Sequence, residues 1–292
     1  MTAASVSRLR WWVLITLFGG LSGVLAGCST YPQKIARMAD GFGMERMLLK
    51  GRAFTHVVYT RHRQHHTDTL HVYIDGDGRP WIKRVFIAAD PTPRSPIMLK
   101  LMHRDPDAAL YLGRPCYHGL ASHPPCNLFY WTHRRYAPVV VDSMVAALQR
   151  FLESHPYRNV VLIGHSGGGT LAVLMAPRLP QVRAVITLAG NLDTAAWTTL
   201  HDYSPLHGSL NPATQPPLPP GILQWHYVGD QDQNTPAAIL APAARRLGSR
   251  LRVIPGIDHS CCWEKHWPQI LQELRSFQDW PALLTNDRRK GT

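Results

Sequence analysis

Several features that mark other classes of protein are rare in this sequence or missing from it. Only 17% of its 292 residues are charged and 45% are hydrophobic, which excludes a disordered chain and favours one large domain with a full core. No internal repeat occurs, so a solenoid is excluded. The formal charge is +12, but the Lys and Arg residues are scattered, without the basic stripe of a nucleic-acid-binding protein. The excess charge fits either attraction to anionic surfaces, such as lipid head groups, or a basic background of the whole proteome.

The N-terminal apolar run is too short for a membrane span. It covers Trp11 to Val24 and follows Arg8 and Arg10, which is typical of a secretory signal peptide. The next residues, Leu25-Ala26-Gly27-Cys28, resemble the bacterial lipoprotein signal, in which the cysteine is lipid-modified and becomes the new N-terminus. We predict a signal peptide over residues 1–27 and lipidation at Cys28. An ordinary signal peptide with an incidental cysteine is the alternative.

A lipidated Cys28 would anchor the protein to a membrane of the bacterial cell envelope. Several acyl chains on one residue give stable anchoring, because each buried methylene contributes roughly 0.8 kcal/mol. Ser29 stands where an Asp would indicate retention at the inner membrane. The expected location is therefore the periplasmic face of the outer membrane, with residues 28–42 as lipidated cysteine and tether.

Export to an oxidising compartment changes how the other cysteines are interpreted. The remaining four are Cys116, Cys126, Cys261 and Cys262. They are compatible with two disulfides, and three connectivities are open. No CxxC-type pair occurs, so metal binding by these cysteines is disfavoured.

Apolar segments of strand length alternate with segments of helical spacing along the rest of the chain. The predicted strands cover 47–49, 54–59, 70–74, 108–112, 160–163, 182–188, 223–228 and 251–254, and the predicted helices cover 96–102, 139–152, 171–175, 237–247 and 266–277. This alternation predicts an α/β fold with a mostly parallel central sheet and helices on both faces. The domain is expected over residues 43–283, followed by a polar tail over 284–292.

One serine lies in a setting suited to a nucleophile. Ligands and catalytic groups gather at the carboxyl ends of the strands in such sheets. Gly164-His165-Ser166-Gly167-Gly168 follows the strand 160–163 and precedes the helix 171–175, as a nucleophile elbow requires. We interpret Ser166 as a nucleophile. A glycine-rich helix entry without catalytic meaning is the alternative.

Serine needs a base to take its proton, and the base needs a carboxylate to orient it. The expected chain order is serine, acid, histidine. Asp230 and Asp232 both follow the strand 223–228. We predict that Asp232 is the acid, because it lies three residues past Gly229 and ahead of a turn containing Pro236. Asp230 is the alternative, or a turn former.

The base is predicted by position rather than by residue type, since the sequence holds 16 histidines. His259 follows the last predicted strand and comes after the acid, as the order requires. Another group, His62, His65, His66 and His71, lacks a carboxylate or cysteine at ligand spacing. We interpret these four as surface and strand residues and predict no metal.

An oxyanion hole needs one N–H after the nucleophile and one from the loop after the third predicted strand. The expected donors are Gly167 and Asp77, the latter in Asp75-Gly76-Asp77-Gly78. A carboxylate there is unfavourable unless it points away or is paired. Arg79 or Arg114 could supply that partner. A calcium loop is disfavoured, because its remaining ligands are missing.

The order of these motifs resembles that of the α/β-hydrolase superfamily. Further motifs resemble a poorly characterised group of bacterial α/β-hydrolase-fold proteins, often predicted lipoproteins: Gly76-Asp77-Gly78, Arg114-Pro115-Cys116, Gly164 to Gly169, Ala189-Gly190-Asn191-Leu192-Asp193 and Asp258-His259-Ser260-Cys261-Cys262-Trp263. The resemblance implies a Ser-Asp-His triad and no cofactor. It does not supply a substrate.

A long polar and proline-rich segment, residues 189–220, follows the strand after the elbow. A connection of this length is a lid, a binding loop or disorder. We predict a small cap that contributes Trp197 and Tyr203 to a pocket, together with His165 and Asn191 as substrate-binding residues. A well-packed surface loop is the alternative.

The sequence therefore predicts a membrane-anchored serine hydrolase that cleaves an ester or amide of a small-molecule or acyl substrate, most simply an esterase. An acyltransferase or peptidase with the same triad remains open. A catalytically silent envelope scaffold is the hypothesis from a different class, and the complete triad argues against it. No nucleic-acid partner is predicted.

Overall fold

A large sheet runs through the part of the chain that the computed structural model describes, residues 30–61 and 68–278. Its strands in chain order are β1 (Glu45–Lys50), β2 (Thr55–Arg61), β3 (Thr69–Ile74), β6 (Ala109–Leu112), β7 (Asn159–His165), β8 (Val182–Leu188), β9 (Leu223–Gly229) and β10 (Arg250–Ile254). In space they follow the order β1-β2-β6-β3-β7-β8-β9-β10. A separate short hairpin pairs β4 (Trp81–Ile82) with β5 (Phe86–Ile87).

The sheet is mostly parallel. Strands β6, β3, β7, β8, β9 and β10 pair in parallel with one another. Strands β1 and β2 make the antiparallel pairs at one edge. The predicted antiparallel edge and the predicted α/β fold class are both confirmed.

Helices cover both faces of the sheet. They are α1 (Tyr31–Gly41), α2 (Ile97–Arg104), α3 (Pro138–Ser154), α4 (Gly167–Met175), α5 (Thr194–Leu200), α6 (Ala237–Arg246) and α7 (Trp263–Gln278). Side chains of a strand alternate between faces, so in β7 Val160 and Leu162 pack in the core cluster that includes α3 and α4. Val161 and Ile163 pack in the opposite cluster, which includes α1, α2 and α7.

The chain before β1 differs from the prediction of a tether over residues 28–42. Residues 31–41 form helix α1, and its Ile35 and Ala39, four positions apart on one helical face, are buried in the core. The folded part of the chain therefore begins before the predicted start at residue 43. The predicted signal peptide, Cys28, the C-terminal tail 284–292 and the histidines His62, His65 and His66 lie outside the described residues.

The cysteines pair as near neighbours. Cys116 bonds to Cys126, and Cys261 bonds to Cys262. Of the three connectivities left open by the sequence, the structure therefore has the one that closes two local loops. The second of these loops begins two residues after His259.

Candidate active site

The turn after β7 holds Ser166 in a conformation that side chains rarely adopt. Its φ is 52° and its ψ is −123°, a strained combination that recurs in nucleophile elbows. The turn closes tightly because Gly164 and Gly168 lack side chains. A Cβ at Gly164 would collide with the carbonyl of Gly168, and a Cβ at Gly168 would collide with the carbonyl of Ile74.

Ser166 lies within hydrogen-bonding distance of His259. The distance from Ser166 Oγ to His259 Nε2 is 3.0 Å. On the far side of the ring, His259 Nδ1 lies 2.9 Å from Asp232 Oδ2. Three loops, after β7, β9 and β10, thus bring the predicted nucleophile, acid and base into one chain of hydrogen bonds.

Asp230, the alternative candidate for the acid, stabilises a neighbouring turn. Its carboxylate accepts a hydrogen bond of 2.7 Å from the N–H of Gly256, and the side chain is exposed. Asp230 therefore fastens the turn after β10, in keeping with the turn-forming alternative.

Asp232 is fixed by the residues after it in the chain. Its Oδ1 accepts the N–H groups of Asn234 at 2.9 Å and Thr235 at 2.8 Å, and its Oδ2 accepts the Thr235 hydroxyl at 3.0 Å. Burial by itself raises the pKa of Asp232, but His259 and these bonds lower the pKa overall. The carboxylate is therefore ionised at neutral pH and can stabilise a protonated His259.

The backbone of His259 is held by two further side chains. Its carbonyl oxygen accepts the Nε2–H of His165 at 2.8 Å and the indole N–H of Trp263 at 3.2 Å. Burial, and then the neighbouring His259, lower the pKa of His165 to about 3, so that ring stays neutral. His165, predicted to bind substrate, does line the cavity described below, but its ring is engaged in positioning the base.

The loop after β3 lies directly beside the elbow. A Cβ at Gly76 would approach the Cβ of Ser166 to 3.0 Å, and a Cβ at Gly167 would collide with the carboxylate of Asp77. In the described part of the chain, no acceptor receives the backbone N–H of Gly167 or of Asp77. Both predicted oxyanion donors are therefore close to the nucleophile and unused.

The Asp77 carboxylate is engaged by its neighbours. It accepts bonds from Arg114, from Arg135 at 2.8 Å and from the Tyr136 hydroxyl at 2.7 Å. Burial opposes ionisation of this group, but Arg135 and Arg114 hold its pKa well below the ordinary value. Of the two partners considered from the sequence, Arg114 pairs with the carboxylate and Arg79 does not.

Asp75, the other acid of this loop, has a structural role at a helix end. Its Oδ1 accepts the N–H of Met98 at 3.1 Å, so it satisfies one of the free donors in the first turn of α2. Burial raises the pKa of Asp75 to about 7.

A cavity of about 660 Å³ opens above Ser166. Trp197 and Tyr203, two residues of the predicted cap segment 189–220, line it as expected. Asn191 does not. It is buried, and its backbone binds Ser166 and Thr170. Asn191 therefore stabilises the elbow through its backbone, and its contact with substrate stays a prediction.

Asn234 is a residue of the site that sequence reasoning missed. Its Nδ2 lies 2.9 Å from His259 Nε2. Its Oδ1 accepts the indole N–H of Trp197 at 3.3 Å, and its backbone oxygen accepts the Nε2–H of His201 at 2.8 Å. Its position two residues after Asp232 was the only sequence feature that could have indicated it.

Comparison with known proteins agrees with this architecture. Residues 110–214 match the family model of the α/β-hydrolase fold. This match and the sheet topology show that the chain has the α/β-hydrolase fold. No curated protein sequence matches this α/β-hydrolase.

Solved structures share its fold at low sequence identity. One is a bacterial membrane phospholipase A described as a virulence factor, with a TM-score of 0.55 and 14% identity, covering 91% of this chain and 99% of that one. A hormone-sensitive lipase from a metagenome library has a TM-score of 0.50 and 14% identity, covering 86% and 89%. A puromycin-hydrolysing peptidase of Mycobacterium tuberculosis has a TM-score of 0.54 and 14% identity, covering 74% of this chain and 36% of that one. The family and this fold support a hydrolase.

Proposed function

We propose that this protein is a serine esterase that works through an acyl-enzyme. The single observation that carries the proposal is the hydrogen-bond chain from Ser166 through His259 to Asp232, with distances of 3.0 and 2.9 Å. A hydroxyl becomes a useful nucleophile only when a base receives its proton, and this chain provides the base and its orienting carboxylate.

In the proposed reaction, Ser166 Oγ attacks the ester carbonyl carbon while His259 Nε2 takes the hydroxyl proton. The ionised Asp232 stabilises the imidazolium that forms. The alcohol then leaves with the proton from His259, and an acyl group remains on Ser166. A water molecule, deprotonated by His259 in the same way, attacks the acyl carbon and releases the acid.

The negative oxygen of each tetrahedral intermediate would be stabilised by the N–H groups of Gly167 and Asp77. A carboxylate beside that oxygen would ordinarily destabilise it. Arg114 and Arg135 engage the Asp77 carboxylate, so the local charge of this cluster is positive rather than negative. The charge distribution therefore supports the use of Asp77 as an oxyanion donor.

Esters are proposed as the simplest substrate class; a phospholipase A and a lipase are among the structurally similar proteins, as are peptidases. The first two names denote hydrolysis of carboxylic esters. The Ser166 cavity of about 660 Å³ is large enough for a small or medium-sized acyl ester.

We also propose that the protein is a lipoprotein of the cell envelope, anchored through Cys28. The two disulfides are consistent with an oxidising compartment. None of the helices among the described residues has the length and apolarity needed to cross a bilayer. Mass analysis of the mature N-terminus tests the anchor: a lipidated Cys28 supports it, and an unmodified N-terminus at another residue contradicts it.

A fluorophosphonate probe tests the proposed esterase activity on the full chain under oxidising conditions. Labelling is expected for the wild type and for Ser204→Ala, which removes another serine hydroxyl of the cavity wall. Ser166→Ala should not be labelled, and its kcat for an activated acyl ester should fall by about 10⁶-fold. Wild-type protein that resists labelling, or labelling that persists in Ser166→Ala, would refute the proposal.

A further inference from the structure

One wall of the cavity carries three arginines. The chain between β3 and α2 supplies Arg79, Arg84 and Arg94, all of which line the cavity above Ser166. Arg79 comes two residues after the proposed oxyanion donor Asp77, and Arg84 lies in the turn of the β4–β5 hairpin. The three cations therefore approach the site from the same side.

These three arginines lack carboxylate partners, unlike the two arginines that bind the Asp77 side chain. Arg114 and Arg135 both bind Asp77. Within residues 30–61 and 68–278, none of Arg79, Arg84 and Arg94 forms an ion pair. Arg94 lies over the ring of Tyr31, 5.0 Å from its centroid, a contact that leaves the guanidinium N–H groups free.

Arg79 gives the most specific observation. Its Nη1 is out of contact with solvent and, among the described residues, has no hydrogen-bond partner. An unsatisfied buried donor on a cation is costly. Arg79 lines the cavity, so an oxygen of a negatively charged ligand there can neutralise the charge of its guanidinium group.

The acids of the cavity do not offset these cations. Asp75 is engaged at the first turn of α2 and Asp77 is paired with two arginines. Only Asp202, which is exposed, remains among the acids that line the cavity. The balance of unpaired charge around the cavity is therefore positive.

We propose that the substrate is an ester bearing a carboxylate or phosphate group, and that Arg79, Arg84 and Arg94 bind this anionic group. This inference rests on the proposed esterase activity. Guanidinium groups match both kinds of oxyanion geometrically, so the shared ligand chemistry is an oxyacid anion on either side of the scissile ester bond.

Two matched pairs of esters test the proposal and locate the anion. The first compares 4-nitrophenyl butyrate with mono-4-nitrophenyl succinate, which carries a carboxylate on the acyl side. The second compares monobutyrylglycerol with its glycerol phosphate counterpart, which carries a phosphate on the alcohol side, as in a lipid headgroup. In at least one pair, wild-type kcat/KM should be about tenfold or more higher for the anionic member.

The arginines are tested by Arg79→Gln and by the triple Gln variant of Arg79, Arg84 and Arg94. We expect the triple variant to lose the preference for the anionic ester while its kcat/KM for the neutral ester changes by less than about twofold. Arg79→Lys should restore part of the preference lost in Arg79→Gln, because it returns the charge but not the planar fork. Arg246→Gln, an exposed residue on α6 that does not line the cavity, is the control for a change in net charge.

The outcomes separate this inference from the proposed activity. Equal wild-type turnover of both members in both pairs, or an unchanged preference in the triple variant, would overturn the anion site and leave the esterase intact. Wild type that cleaves no ester of either pair and is not labelled by the fluorophosphonate would overturn both.

Discussion

Two aspartate–histidine pairs lie at opposite ends of the parallel strands, in different surroundings. Asp232 and His259 meet beyond the carboxyl ends of β9 and β10, at 2.9 Å. Asp105 and His71 meet near the amino end of β3, at 2.6 Å. The chemistry of the two pairs is the same, so their surroundings must decide what each can do.

The difference lies in access and in the third group. The His259 side chain is 20% exposed and its second nitrogen faces Ser166. Both side chains of the other pair are 0% exposed, and Tyr73 donates its hydroxyl to Asp105. Asp107 lies with them but binds Arg275. The Asp232–His259 pair thus adjoins a serine hydroxyl and a cavity, whereas the Asp105–His71 pair joins a loop to a strand.

The largest expected effect comes from Asp232→Asn. The amide oxygen can still accept the N–H of Thr235, but the amide cannot stabilise a charged His259, so kcat for an activated ester should fall by about 10⁴-fold. The free energy of unfolding, measured by guanidinium denaturation, should change by far less than the free energy that corresponds to this loss of kcat. Near-normal turnover in this variant would remove the distinction between the two pairs.

The second prediction concerns the stability of the protein rather than its activity. Asp105→Asn breaks the fully buried pair, so the free energy of unfolding should fall by about 3 kcal/mol while kcat/KM stays within about twofold. Asp107→Asn is the matched control, since its ion pair with Arg275 is partly exposed and should contribute less than about 1 kcal/mol. A collapse of kcat/KM in folded Asp105→Asn would show that the buried pair also serves the reaction.

The smallest effect concerns Asp75, a buried aspartate without a histidine. Its pKa in the folded protein is raised to about 7, whereas the unfolded value is about 3.9. The folded state therefore holds a proton that the unfolded state has lost between these values, and stability falls as the pH rises from about 4 to about 7. Asp75→Asn removes this loss, so its stability relative to the wild type should increase as the pH rises from about 4 to about 8.

Denaturation at a series of pH values checks this prediction. The difference between Asp75→Asn and wild type should shrink toward zero near pH 4. A difference that grows toward low pH would mean that Asp75 is ionised in the folded protein and paired, like Asp77.

The main features of the fold could be predicted from the sequence, because parallel strands form unbroken apolar runs. Val160 to Ile163 is such a run, and the residues directly after each run must lie at the same edge of the sheet. That rule, with the expected chain order of serine, acid and histidine, predicted that Ser166, Asp232 and His259 lie together. Helix α1 was missed, because only Ile35 and Ala39 are buried in this short segment.

The supporting residues of the site could not be predicted in the same way. Arg135 and Tyr136 precede α3, and no periodic pattern indicates that their side chains reach a loop nearly 60 positions earlier. His71 lacked a carboxylate at local spacing, yet Asp105 meets it from 34 positions away. Such contacts depend on how loops cross at the ends of the sheet, which residue type and periodicity do not encode.

The carboxylate of Asp77 joins three segments of the chain at one point: the loop after β3, the loop after β6 through Arg114, and the residues before α3 through Arg135 and Tyr136. Three side chains therefore hold the residue whose backbone N–H is the proposed second oxyanion donor. The mutational target for activity is accordingly larger than the triad, and a random substitution screen should recover inactive but folded variants at these distant positions.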